Sequence, residues 1–176
     1  PVTSHADKPL KPVATRKTVQ DQVYEQLREA LMSGAFQARD SFTIASLADR
    51  FQTSHMPVRE ALARLVSERA LEALPNRSVR VPLITRERLD DLARARCLLE
   101  GELTTLALPR LGEADFAALR ALTLDGEAAF AGTAADRAQV TSELNHAFHF
   151  RIYAAAGSAV LIAVVESLWL QSGPYV

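Results

Sequence analysis

Residues 54–62, SHMPVREAL, set a serine three positions before a proline and then run directly into apolar, helix-forming residues. With Ser54 as the cap, Pro57 falls in the first turn, where its missing N–H removes no intrahelical bond. The proline therefore permits a helix and fixes where it starts. At helical spacing Val58, Ala61, Leu62 and Leu65 gather on one face, while His55, Met56, Arg59 and Ala63 lie on the opposite flank. A helix whose first turns carry residues its apolar face does not need has a second face to offer.

The surrounding pattern gives that helix a setting. Val19, Val23, Leu27, Ala30 and Leu31 recur at helical spacing from Thr18, and Gly34 stands where a C-cap glycine ends a helix. After AFQARDSF, read as a turn, Thr43 or Ser41 caps a second helix, IASLADRF, whose Ile44, Leu47, Ala48 and Phe51 form a stripe. QTS is a tight turn into the third helix. LEALPNRSVRVPL then passes into β-type residues about a polar Asn76-Arg77-Ser78 tip, the pattern of a two-stranded hairpin.

Helix, helix, tight turn, helix and hairpin is the order of a winged helix-turn-helix, assigned here to residues 18–83. Residues 1–17 hold three prolines and no periodic apolar face, and read as a flexible tail. From residue 84 to 176 four helical runs follow Pro82–Thr85, the expected linker, and imply an all-α bundle. The expected fold class is mainly α: a winged helix-turn-helix with a small β-hairpin wing, then a helical bundle.

Charge separates the halves. The net charge is −1 overall, but residues 16–82 carry ten basic against eight acidic side chains and residues 83–176 eight against twelve. The single cysteine, Cys97, rules out an internal disulfide framework and reads as a small buried residue. No run of roughly 18 apolar residues and no signal-peptide core occurs, so a cytoplasmic protein without a membrane partner is expected.

The outward flank of the third helix suits a DNA major groove, because the helix end also presents backbone N–H groups to phosphate. Ser54 is suited to a phosphate oxygen; Arg59 suits either a phosphate or guanine O6 and N7, and His55 either role. Arg77 at the hairpin tip is placed for the flanking minor groove. Glu60 reads as an i, i+4 partner of Arg64.

These residues also carry a resemblance. SHMPVREAL, preceded by LADRF, resembles the SRTPVREAL signature of GntR-family transcription regulators, and NRSVRV resembles that family's RGxxV wing turn. RARCLLE and NHAFHFRIYAAAGSAVL are similar to the FCD effector domain of its FadR-type branch. His55 and Met56 stand where the family usually has arginine and threonine, and Ser78 where it has glycine, which implies an altered operator preference or a loss of DNA binding. The chain ends at LWLQSGPYV, and against the resemblance it is expected to be shortened, with a ligand cavity that a partner chain would have to close.

In the second half Arg96, four before Glu100, matches the family's inward-facing arginine. A buried arginine needs an anion, supplied by Glu100 and other internal acids or by a small organic acid. Asn145 and His149 stand four apart on one helix face, enough for two positions on a divalent metal ion such as Zn²⁺ but not for a site. The resemblance implies an aspartate in place of Asn145 and two later histidines that this sequence lacks. His146 points elsewhere and is expected at the surface.

No nucleophile elbow, paired catalytic carboxylates or glycine-rich phosphate loop occurs, so an enzyme is not expected. The expectation is a homodimeric, ligand-responsive repressor of a metabolic operon. It would read a palindromic double-stranded DNA operator and be released by a small carboxylate effector. A rival is a metal or metabolite sensor that has lost specific DNA binding, motivated by His55 and Met56; a small metalloenzyme centred on His149 is a third.

Overall fold

The computed structural model describes residues 17–173, so the tail reading falls almost wholly outside the described residues. Helix α1, Val19–Met32, opens on a capping box: the Asp21 N–H donates to the Thr18 hydroxyl and the Thr18 N–H to the Asp21 carboxylate, each at 3.1 Å. Gly34, at φ +70°, turns the chain off its end, and the Ala35 N–H donates back to the Ala30 carbonyl. Helix α2, Ile44–Phe51, is capped by Thr43 rather than Ser41, and left-handed Gln52 makes the sharp exit toward α3, His55–Ser67.

The three helices share one apolar centre. Val23, Leu27 and Leu31 of α1, Leu47 of α2, and Val58, Ala61, Leu62 and Leu65 of α3 are all buried. Glu60 is not the partner of Arg64. The Arg64 guanidinium lies 3.6 Å over the Tyr24 ring and pairs with Glu68, whose carboxylate also accepts from the Tyr24 hydroxyl. An aromatic face on α1 offered a better seat than a solvated i, i−4 acid.

The wing is a sheet of three strands rather than two. Strands β1 (Ser41–Thr43), β2 (Glu72–Ala73) and β3 (Ser78–Arg80) pair antiparallel in the order β1-β3-β2, with Phe42 and Ala73 both opposite Val79. β1 comes from the segment read as a turn; three residues are too few to display a two-residue period. Ser78 is buried at the start of β3 and donates to the Asn76 side-chain carbonyl, so the turn position is Arg77, left-handed at φ +61°.

The second half contains α4 (Arg86–Ala107), a 3-10 turn at Leu108–Arg110, α5 (Glu113–Ala131), α6 (Arg137–Ala155) and α7 (Ala159–Ser172). Thr85 caps α4 and Ser158 caps α7 through their hydroxyls. α5 packs on α6, α4 on both α6 and α7, and α7 on α1. No helix among the described residues is long and apolar enough to cross a membrane.

The join between the halves is tight. A Cβ placed on Gly173 would lie 2.5 Å from the Leu31 carbonyl oxygen and 2.9 Å from the Met32 Cα, so only glycine lets the end of α7 meet the end of α1. Nearby, Arg28 of α1 pairs with Glu166 of α7 at 2.9 Å. Two residues sit differently from expectation. Cys97 is exposed on α4, and His146 is half-buried between Phe150, stacked at 4.2 Å, and the edge of Trp169.

Candidate nucleic-acid interface and effector cleft

Helix α3 divides into a dry side and a wet side. Val58, Ala61 and Leu65 are sealed from solvent, whereas Met56 is 54% exposed and His55, Arg59 and Ala63 are exposed with it. Ser54 is the N-cap residue by backbone geometry, yet its side chain makes no capping bond, which leaves the hydroxyl free. Arg59 forms no ion pair among the described residues. Arg77 is exposed at the wing turn, on a different element from the other four. The flank thus presents hydroxyl, imidazole, thioether and guanidinium groups beside the free N–H groups of a helix start.

A second constellation lies inside the helical half. Arg96 is half-buried and donates from Nε to Glu100 Oε1 at 2.8 Å and from Nη1 to the Ser172 hydroxyl at 3.2 Å. Its guanidinium carbon sits 4.2 Å over the Trp169 ring, and the Trp169 indole N–H donates to the same Glu100 oxygen at 2.7 Å. The internal acid named in the sequence therefore holds this arginine, and two residues of α7 frame it. Trp169 and Ser172 gave no sign of this role in an almost wholly apolar run.

Beside Arg96 opens a cleft of about 270 Å³. Phe130, Arg137, Thr141 and Trp169 line it from the helical half and Met32 from α1. The Thr141 hydroxyl is buried with no hydrogen-bond partner among the described residues. Arg137, the first residue of α6, donates to the Gly132 carbonyl at 3.3 Å, and its guanidinium lies 5.9 Å from the centre of the Phe130 ring. Met32, Phe130, Arg137 and Thr141 carry no local motif; the end of α1 and the α5–α6 corner bring them together.

Asn145 and His149 do share a face of α6, but their surroundings diverge. Asn145 is exposed at the cleft, while His149 Nδ1 lies 3.3 Å from the Tyr153 hydroxyl. Burial holds His149 below its ordinary pKa, against the opposing pull of Glu100, so the ring is neutral at pH 7. The same burial, reinforced by Glu100, pushes the Tyr153 hydroxyl well up. Zinc asks for about four ligands, three of them from protein even in open sites. Among the described residues no three His, Cys, Asp or Glu side chains converge, so these donors do not fit a metal centre.

Comparison with known proteins gives each half its own family and the whole chain common relatives. Residues 19–81 match the bacterial regulatory proteins of the gntR family, and residues 91–176 match the FCD domain. The chain is 33% identical over 153 residues to the HTH-type transcriptional regulator McbR of Escherichia coli (strain K12), covering 87% of this chain and 68% of McbR. It is 32% identical over 150 residues to the HTH-type transcriptional repressor GlaR of the same organism, covering 83% and 67%. The solved structure of E. coli McbR/YncC superposes with a TM-score of 0.81 at 32% identity, covering 89% of this chain and 73% of that one. A putative transcriptional regulator GntR from Rhodococcus sp. RHA1 shares the fold, with a TM-score of 0.68 at 19% identity over 88% of this chain and 72% of that one.

Proposed function

The chain belongs to the gntR family of bacterial regulatory proteins and carries an FCD effector-binding domain, and from that premise we propose that it is a cytoplasmic, homodimeric repressor released from DNA by a small organic acid. It is a transcription regulator and not an enzyme. Residues 18–83 are the DNA-reading unit and residues 84–176 the effector-binding and dimerising unit.

The observation that carries this reading is the division of α3. Its inner face is sealed, and its N-terminal flank leaves Ser54, His55, Met56 and Arg59 in solvent. Arg59 forks onto guanine or clamps a phosphate, Ser54 takes a phosphate oxygen, and Arg77 enters the neighbouring minor groove. One short helix covers too few bases for useful specificity, so two copies related by a two-fold axis read a palindrome. In the other half, Arg96 lines the cleft with guanidinium donors that Glu100 and Ser172 do not engage, and these support an anionic effector.

DNase footprinting of the DNA upstream of the protein's own operon tests the reading directly. A protected palindrome is expected at moderate salt. Arg59→Ala is expected to abolish the footprint, a loss of about ten-fold or more in affinity, while sedimentation still reports the dimer. Full protection by the variant would put the reading face elsewhere. No protected site with the natural protein would favour a sensor that no longer reads DNA, the reading that His55 and Met56 motivate.

A further inference from the structure

Of Ser54, His55, Met56 and Arg59 on the α3 flank, Met56 is the one whose side chain has no hydrogen-bond donor, and it stands at the centre of the outer face. At about 100° per residue it points about 180° away from Leu65, which is sealed in the core. Arg59 lies about 60° to one side of it and Glu60 about 40° to the other. Met56 is 54% exposed, and both flanking side chains are in solvent with it. A duplex that takes this face into its major groove therefore meets the thioether on the outermost line of the helix, between a cation and an anion.

A thioether sulfur is a weak acceptor and its methyl end is apolar. In the major groove guanine presents N7 and O6, adenine N7 and N6, and cytosine N4, polar groups that a methyl sulfide strips of water without replacing the lost bond. Thymine alone offers an apolar feature there, its 5-methyl group. Resting on the reading of residues 18–83 as the DNA-reading unit, we propose that Met56 is a specificity-determining residue that packs on a thymine 5-methyl group and disfavours the other bases at that position. Its three rotatable bonds let the side chain follow the methyl. Helical rise sets Met56 and Arg59 about 4.5 Å apart along α3, little more than a base-pair step of about 3.4 Å, so the thymine lies within about two base pairs of the group that Arg59 contacts. The departure from the family's usual threonine then changes which operator is read and does not abolish reading.

The test uses the full chain and the DNA upstream of its own operon, amplified once with thymidine triphosphate and once with deoxyuridine triphosphate. Uracil lacks the thymine methyl and keeps the same hydrogen-bonding groups. In mobility-shift titrations the uracil fragment should bind about four-fold more weakly per half-site, about fifteen-fold for a palindrome, as one buried methyl contact is lost at each. Single thymine-to-uracil replacements across the protected half-site then locate the methyl.

Met56→Ala should weaken binding to the thymine fragment and bring the two fragments to within about two-fold of each other. Met56→Leu, apolar and of similar size, should keep the preference for thymine. Met56 is exposed and both replacements are strong helix formers, so the fold should accept either. Equal affinity of the natural protein for the two fragments would overturn the proposal, and so would a thymine preference that survives Met56→Ala. Retardation of neither fragment would refute DNA reading itself and this assignment with it. Equal retardation of both would leave DNA reading standing and remove Met56 from it.

Discussion

Arg77 holds two roles that a single substitution can part. At φ +61° it occupies the left-handed region that costs a residue with a Cβ about 1 kcal/mol, yet it is exposed and forms no ion pair among the described residues. Such a placement points to a use outside the folded chain, and a minor groove is the use proposed. Arg77→Gly should leave thermal stability unchanged within about 1 kcal/mol, because relieved backbone strain offsets the added freedom of the unfolded chain. Operator affinity should fall, with a shallower dependence on salt as one cationic contact is removed. Mobility-shift titrations at several salt concentrations beside a melting curve decide it. Undiminished DNA affinity would make Arg77 a plain turn residue.

At the scale of elements, the recognition helix is held to α1 by more than apolar packing. The Tyr24 hydroxyl donates to Glu68 while Arg64 covers the Tyr24 ring. Burial, together with the Glu68 carboxylate, pushes Tyr24 up from 10.0 to about 12. The folded state keeps this proton at a pH where the unfolded chain has lost it. The stabilisation is therefore whole below pH 10 and drains away as pH rises from 10 towards 12. Tyr24→Phe should cost about 1 kcal/mol at neutral pH and flatten the alkaline loss in that window, read by urea unfolding at a series of pH values. An unchanged alkaline profile would show that other groups govern it. Elements of this kind were legible where a period and a cap coincide. The periodic run from Thr18 announced α1, a cap at Thr43 or Ser41 announced α2, and the apolar stripe of α3 told its inner face from its outer. What stayed hidden depended on contacts across the fold. Strand β1 exists only because Val79 lies beside it, Arg64 preferred Tyr24 to Glu60, and His146 left the surface because Phe150 and Trp169 enclose it. Arg96 could be named from the resemblance that RARCLLE carries, but Arg137, Thr141 and Met32 meet only once α1 and α6 are folded together.

For the whole molecule, the question is how an effector bound in the helical half would alter a helix that reads DNA. Helix α7 touches both ends of the problem. Trp169 and Ser172 frame Arg96, Glu166 pairs with Arg28 of α1, and Gly173, just past its end, meets the backbone of Leu31 and Met32. α1 in turn carries Tyr24, which holds α3. A ligand shifts the DNA-competent population only by its difference in affinity for the two arrangements, and the coupling is reciprocal. If succinate, a small acid of the class proposed as effector, weakens operator binding by some factor, saturating operator must weaken succinate binding by the same factor, roughly within the 5- to 150-fold range typical of such couplings. The Arg28–Glu166 pair is partly exposed, so it contributes at most about 1 kcal/mol. Glu166→Gln should accordingly lower the coupling by about two- to five-fold, with each separate affinity kept within about two-fold. Fluorescence anisotropy of labelled operator with and without succinate gives one factor, and Trp169 titration with and without operator gives the other. An undiminished factor in the variant would move the link to the Gly173 contact, where no side chain is available to remove and Gly173→Ala, driving a methyl into the Leu31 carbonyl, should uncouple the halves instead.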